Sequence, residues 1–129
     1  MPAADGDKVR LRVGTSGTEF TVETVVSPAA RIQGLSDRPS MPKNHGMFFV
    51  FDAQAVYGMW MNKMLFPLDI VWLDNQLRVV SIVRGCMPCR PGSACPNYSS
   101  VAPARYAIEM NAGDAEALGF YEGLTLRTV

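Results

Sequence analysis

The sequence has little of what marks the common functional classes. Its 129 residues include one histidine, and they contain neither a phosphate-binding loop nor the nucleophile elbow of a hydrolase. Twelve Lys and Arg balance twelve Asp and Glu, and the nine arginines are scattered. This argues against nucleic acid, because phosphate binding needs a positively charged face. No apolar run approaches the ~20 residues that cross a bilayer. We therefore expect no nucleic-acid partner and no membrane span.

What the sequence does contain is typical of one globular domain. Hydrophobic residues make up 48% and charged residues 19% of the chain, which excludes a disordered protein. Two domains would each be near the lower size limit for a stable core. We predict a flexible segment over residues 1–8 and a single β-rich domain over 9–129. The first residues lack the apolar stretch of a signal peptide, and Pro2-Ala3-Ala4-Asp5 is similar to the start of a mature exported protein. An ordinary frayed terminus is the alternative.

Alternation of apolar and polar residues predicts a series of short strands. The first two, 9–13 and 19–25, form a hairpin around a turn at Gly14-Thr15-Ser16-Gly17. Further strands are predicted over 46–51, 56–61, 68–73, 77–83, 105–111 and 124–127. The runs 46–51 and 56–61 are apolar throughout, which indicates strands covered on both sides.

Two short helices complete the predicted elements. Ser27 can accept a free backbone N–H, and Pro28 has its φ angle preset for a first turn, so a helix is predicted from Pro28 to about Leu35. Ile32 and Leu35 should face the core. Asp114 can cap a second helix that ends at Leu118. Strands and helices do not alternate, so we predict a mainly β fold, a compact antiparallel sandwich or jelly-roll-like barrel of about eight short strands.

All three cysteines lie in a predicted loop over residues 85–103, which contains four prolines and two glycines. Cys86 and Cys89 have the Cys-x-x-Cys spacing of thiol–disulfide oxidoreductases, but turn residues follow where those enzymes begin a helix. The three cysteines and His45 could bind zinc, although the spacing is only half of the usual signature. A disulfide within the loop is the favoured interpretation, and it would add roughly 2–2.5 kcal/mol to stability. We expect no metal and no cofactor.

Three carboxylates lie on predicted strands or at their ends. Two of Asp69, Asp74 and Glu109 could serve as acid and base of a hydrolase if both open onto one cleft. The favoured alternative is that these carboxylates pair with the nearby arginines Arg31, Arg38 and Arg105.

Several short segments occur in an order and spacing that a known family shares. They are 31–38 (RIQGLSDR), 46–51 (GMFFVF), Trp60-Met61, 67–70 (PLDI), Pro88-Cys89 through 95–98 (CPNY), 103–106 (PARY) and 109–113 (EMNAG). Together they resemble domain-of-unknown-function family 192, a widespread prokaryotic group without an assigned activity. The resemblance covers about Val9 to Val129. It implies a compact, jelly-roll-like β-sandwich whose members are often exported.

The same resemblance implies that Cys89 and Cys95 are paired and that Cys86 is an addition of this sequence. Pro91-Gly92 favours a turn that can bring the two Cα atoms within the ~4.4–6.8 Å of a disulfide. Such a bridge persists in an oxidising compartment, so we expect a periplasmic or secreted protein. The chain departs from the family at 62–64, where Asn-Lys-Met replaces the usual Lys-Asn-Thr.

The leading functional hypothesis is an exported, non-catalytic module that binds a small molecule or carbohydrate. Aromatic faces beside amide and carboxylate groups suit sugar-like ligands. The candidate binding residues are Arg31, Arg38, Trp60, Asn62, Asp69, Glu109 and Asn111. A fully buried Trp60 would count against this hypothesis. The carboxylate-dependent hydrolase and an envelope protein–protein interaction domain are the alternatives, and the sequence favours a protein that is not an enzyme.

Overall fold

The computed structural model describes residues 4–14, 17–90 and 92–129. Within these ranges the chain forms nine strands and two helices. The strands are β1 (Lys8–Val13), β2 (Thr18–Val25), β3 (His45–Ala55), β4 (Gly58–Met59), β5 (Leu68–Leu73), β6 (Val79–Cys86), β7 (Tyr98–Ser99), β8 (Ala104–Asn111) and β9 (Leu126–Thr128), and the helices are α1 (Pro28–Gln33) and α2 (Asp114–Leu118). Met1, Pro2, Ala3 and the predicted turn residues Thr15, Ser16 and Pro91 lie outside the described residues.

Seven strands form one curled sheet in the order β6-β5-β8-β3-β2-β1-β9, and β4 pairs with β7 in a small second sheet. The pairings are antiparallel except for β2 with β3, which run parallel. Helix α1 lies between β2 and β3 in the chain, because parallel neighbours need a crossover connection. The mainly β, largely antiparallel prediction is therefore confirmed, with one parallel pair added.

The large sheet is covered on both faces. Its first face packs one core, which includes Leu11, Phe48 and Ile108. Its second face packs another, which includes Phe49 and Trp72. Because side chains alternate along a strand, neighbouring residues of β3 enter different cores. The prediction that 46–51 is a strand covered on both sides is confirmed, since residues 46–50 are all buried.

The prediction of a second buried strand over residues 56–61 is wrong. Only Gly58 and Met59 are in a strand, while Val56 and Trp60 are 56% and 60% exposed. The large sheet already has β3, β5 and β8 side by side, so this apolar segment lies over the second face instead of entering the sheet. Its Met61 is fully buried there.

Helix α1 begins as predicted but presents different side chains. The Ser27 hydroxyl accepts a hydrogen bond from the Ala30 N–H at 3.2 Å. The helix ends at Gln33, and Ile32 is 83% exposed, so the prediction that Ile32 faces the core is wrong. Gly34 then reverses the chain at φ +48°, where a Cβ would lie 3.3 Å from the Phe49 ring. This turn brings Leu35 into the second core, as predicted.

Helix α2 has the predicted bounds but a different cap. Its N-cap residue is Gly113, and Asp69 of β5 accepts hydrogen bonds from the N–H groups of Gly113 and Ala115 at 3.0 and 3.1 Å. Asp114 instead accepts from the Asn44 N–H at 3.3 Å. The prediction that Asp114 caps this helix is therefore wrong, because a carboxylate from a distant strand satisfies the free amides.

The loop after β6 is cross-linked as predicted. Cys89 and Cys95 form a disulfide with their Cα atoms 5.6 Å apart, and Cys86 is a buried free thiol. The disulfide uses two of the four ligands that a zinc site would need, and no group of three or more His, Cys, Asp or Glu in the described ranges could hold a metal ion. No helix in the described part of the chain is long and apolar enough to span a membrane.

Candidate functional site

A groove of about 440 Å³ opens over the second face of the sheet, between α1, β3 and the segment 58–64. Pockets of this size are typical of small-molecule sites. The groove is lined by Pro28, Arg31, Ile32, Gln33, Gly34, Leu35, Ser36, Phe49, Phe51, Gly58, Met59, Trp60, Asn62, Met64 and Glu109. Four of the seven predicted binding residues belong to this set: Arg31, Trp60, Asn62 and Glu109.

Glu109 lies in the central strand β8, where its neighbours across the sheet are Met47 of β3 and Ile70 of β5. Both neighbours are fully buried apolar residues, and Glu109 itself is 5% exposed. Burial raises the pKa of this carboxyl from 4.5 to about 8, because the charged form is disfavoured away from water. No hydrogen bond or ion pair of its carboxyl is present in the described ranges. Glu109 is therefore an unpartnered acid, mostly uncharged at pH 7, on the floor of the groove.

The rim of the groove carries an exposed aromatic ring and a fixed arginine. Trp60 is 60% exposed. Arg31 donates to the Val50 carbonyl at 2.9 Å, lies 3.4 Å from the Asp52 carboxylate and is placed over the Phe51 ring at 5.8 Å. These contacts hold the Arg31 guanidinium on the β3 side. Trp60 is the exposed aromatic side chain among the lining residues.

The wall that carries Trp60 and Asn62 is attached to the disulfide loop. The Cys89 N–H donates to the Met61 carbonyl at 3.1 Å, and residues 62 and 89 form an isolated parallel bridge. Strands β4 and β7 pair Gly58 with Ser99 and Met59 with Tyr98. The disulfide loop therefore braces one side of the groove.

The other three predicted binding residues lie outside the groove and hold structure together. Arg38 forms an ion pair with Glu23 at 3.0 Å. The Asn111 amide donates to the Met41 carbonyl at 2.9 Å. Asp69 accepts three backbone N–H groups, those of Gly85, Gly113 and Ala115.

The three candidate catalytic carboxylates do not share a cleft. Asp69 is bonded to backbone amides, and Asp74 accepts the N–H groups of Gln76 and Arg78 in the β5–β6 turn. Glu109 alone lines the groove. The expected pairing of these carboxylates with arginines is wrong. Arg31 donates to the Val50 carbonyl, Arg38 pairs with Glu23, and Arg105 donates to the Phe51 carbonyl. Among the described residues that line the groove, Glu109 is therefore the one carboxylate.

Sequence reasoning missed several lining residues, and two of these are polar. Gln33 and Ser36 lie where α1 ends and the chain turns above the groove. Both residues lie in the segment 31–38 that resembles the family, and this position could have indicated them as candidate site residues. Phe49 and Met64 gave no such signal, because apolar residues on a buried strand or beside an aromatic cluster are most often core.

The family comparison agrees with the fold. The model of the family DUF192, described as an uncharacterized ACR, matches residues 9–128. A crystal structure from Sinorhizobium meliloti 1021, described as a proposed transcription regulator, is 31% identical, with a TM-score of 0.87 and 98% of each chain covered. A protein of unknown function from Novosphingobium aromaticivorans DSM 12444 is 27% identical, with a TM-score of 0.83, covering 93% of this chain and 84% of that one. The comparison with curated proteins finds no match.

Proposed function

We propose that this chain, which belongs to the DUF192 family, is a non-catalytic protein that binds a small organic or carbohydrate-like ligand in the groove above Glu109. One observation carries this proposal: an exposed indole and a buried, unpartnered carboxyl open onto the same groove of about 440 Å³. Apolar walls with a few convergent polar groups are the usual construction of such sites.

Trp60 and Asn62 support a ligand with both apolar and hydroxyl-bearing faces. Aromatic rings offer a flat apolar surface against which a sugar ring can pack. The side-chain amide of Asn62 can both donate and accept hydrogen bonds, and no hydrogen bond of this amide is present in the described ranges. A fully buried Trp60 would have counted against a binding role, and the Trp60 ring is exposed.

The proposed place of action is the periplasm or the exterior of the cell. Support comes from the Cys89–Cys95 disulfide, because such bridges persist in oxidising compartments and are rare in the cytosol.

The alternatives have less support. A carboxylate-dependent hydrolase needs two acids around one cleft, and only Glu109 of the three candidates lines the groove. An envelope interaction domain would use the exposed Ile32 and Trp60 at the rim, and it predicts that small molecules leave the groove unaffected. A role in transcription, suggested by the description of the Sinorhizobium protein, is disfavoured by the formal net charge of zero.

Calorimetric titration tests the proposal with glucose, galactose and N-acetylglucosamine as neutral probes. We expect at least one sugar to bind the wild type and Trp60→Ala to weaken that binding about tenfold, equivalent to about 1.4 kcal/mol. Tyr121→Ala is the matched control, because Tyr121 is 59% exposed and lies outside the groove, and it should bind like the wild type. Equal losses in the two variants, or no binding of any probe, would contradict the proposal.

A further inference from the structure

We infer that Glu109 binds the ligand as an uncharged carboxylic acid, so that the groove selects a neutral, hydroxyl-bearing ligand over a cationic one. This inference rests on the proposed function and specifies the chemistry of its ligand. It starts from the position of Glu109, a buried side chain that lines an open groove and has no partner in the described part of the chain.

The sheet neighbours of Glu109 are apolar, and so is part of the groove lining. Met47 and Ile70 flank it on β3 and β5, while Phe49 and Met64 line the same groove. Removing an ionised carboxylate from water without a partner is costly, so such a group takes up a proton instead.

The charged and titratable groups around Glu109 form no ion pair with it in the described ranges. Arg31 of α1 and Arg105 of β8 both donate to backbone carbonyls of β3. Asp69 of β5 accepts backbone amides. The Cys86 thiol of β6 is buried, and its pKa is raised to about 11, first by burial and then by the charges of Asp69 and Glu109. Burial is therefore the cause that favours the neutral form of Glu109.

A protonated carboxyl matches a hydroxyl group in hydrogen bonding. It offers one O–H donor together with acceptor oxygens, and a hydroxyl likewise donates and accepts. A neutral ligand therefore binds without changing the protonation state of Glu109. A cationic ligand requires the ionised form, and with a pKa of about 8 this form is only about one-tenth of the protein at pH 7.

The pH dependence of binding distinguishes the two ligand classes. If the neutral acid binds, affinity is constant below the pKa of Glu109 and falls above it. With that pKa near 8, the affinity of the wild type for a neutral sugar should decrease about tenfold between pH 7 and pH 9. Glutamine is neutral at every pH, so Glu109→Gln should bind the sugar with an affinity that is the same at pH 7 and pH 9. Glu109→Leu should lose it.

The titration uses N-acetylglucosamine as the neutral probe and choline, whose quaternary ammonium is charged at every pH, as the cationic probe. Glucose and galactose are further neutral sugars. Affinity that rises from pH 7 to pH 9 and disappears in Glu109→Gln would overturn the inference while leaving the proposed function intact. An affinity that does not change with pH and is retained in Glu109→Leu would also overturn the inference and leave the proposed function intact. No binding of any sugar at any pH would contradict the proposed function as well.

A direct titration of the carboxyl gives a second readout. The ¹³C carboxyl resonance of Glu109, assigned by its loss in Glu109→Gln, should titrate near pH 8 in the free protein. A neutral ligand that binds the protonated form should raise this pKa, whereas a cationic ligand should lower it. A lowered pKa in the presence of a bound sugar would overturn the inference.

Discussion

At the scale of single residues, the carboxyl of Glu109 is costly to bury, but its position leaves it accessible from the groove. Its position between Met47 and Ile70 in the sheet would suit an apolar residue, and the carboxyl is accommodated by remaining protonated. The groove above it leaves the acid open to a ligand. Polar groups buried without partners are uncommon in folded proteins and frequently have a binding or catalytic role.

The buried acid should make stability depend on pH. Glu109 has a folded pKa of about 8 against 4.5 when unperturbed. Its stabilising contribution is fully present below pH 4.5 and is lost as pH rises toward 8, at about 1.4 kcal/mol per unit. Glu109→Gln should therefore gain about 3 kcal/mol relative to the wild type between pH 5 and pH 7, measured by urea unfolding.

The control for this measurement is Glu116→Gln, at an exposed glutamate of α2. Its stability should follow the wild type across the same pH range. A pH profile of Glu109→Gln that is parallel to the wild type would show that the acid is not buried in a protonated form.

At the scale of elements, one aspartate connects three parts of the fold. Asp69 on β5 accepts the Gly85 N–H of β6 at 2.9 Å and two N–H groups at the start of α2. Asp69 was predicted from the sequence as a binding residue. In the structure its carboxylate caps the start of helix α2. Hydrogen bonds to a carboxylate are among the stronger ones in proteins.

Removing this carboxylate should destabilise the fold strongly. Asp69→Ala leaves three backbone N–H groups without their acceptor, so we expect a loss of roughly 3 kcal/mol in urea unfolding. Asp52→Ala is the control, because the Asp52 side chain is 85% exposed and its ion pair with Arg31 is a surface contact. That variant should change stability by less than about 1 kcal/mol. Equal losses would contradict the role of Asp69.

The disulfide loop and the groove wall form a second connected unit. Replacing Cys89 and Cys95 together by Ser should cost roughly 2 kcal/mol of stability. Hydrogen exchange should quicken at residues 57–64 and 98–100, which the loop braces, and should stay slow in the middle of β3 and β8. Cys86→Ser, which leaves the bridge intact, is the control. Unchanged exchange at residues 57–64 would show that the wall does not depend on the disulfide.

The elements that sequence could predict are those whose pattern is local. Alternation predicted β1, β2 and β8, and the Ser27-Pro28 pair predicted the start of α1. The segment 56–61 could not be predicted in this way, because an apolar run has the same pattern whether it enters a sheet or covers one. Likewise, the exposure of Ile32 depends on where α1 ends and on the turn at Gly34.

At the scale of the whole molecule, the sheet positions residues that are far apart in sequence. Arg31, Trp60, Asn62 and Glu109 meet at one groove because α1, the segment 58–64 and β8 all border the second face. Residue types identified these four as candidates, but only the fold separates them from Arg38, Asp69 and Asn111. Local patterns carry no information about which polar side chains the topology brings together.

The central claim is that this groove is the ligand site, and chemical-shift mapping tests it most directly. In a ¹⁵N-labelled sample titrated with the three neutral sugars, we expect saturable shifts at the Trp60 indole, the Asn62 amide and the backbone of Gln33, Gly34 and Glu109. The indole of Trp72, which is fully buried, provides an internal reference. Shifts confined to the groove would support the account, whereas no shifts, or shifts centred elsewhere on the molecule, would contradict it.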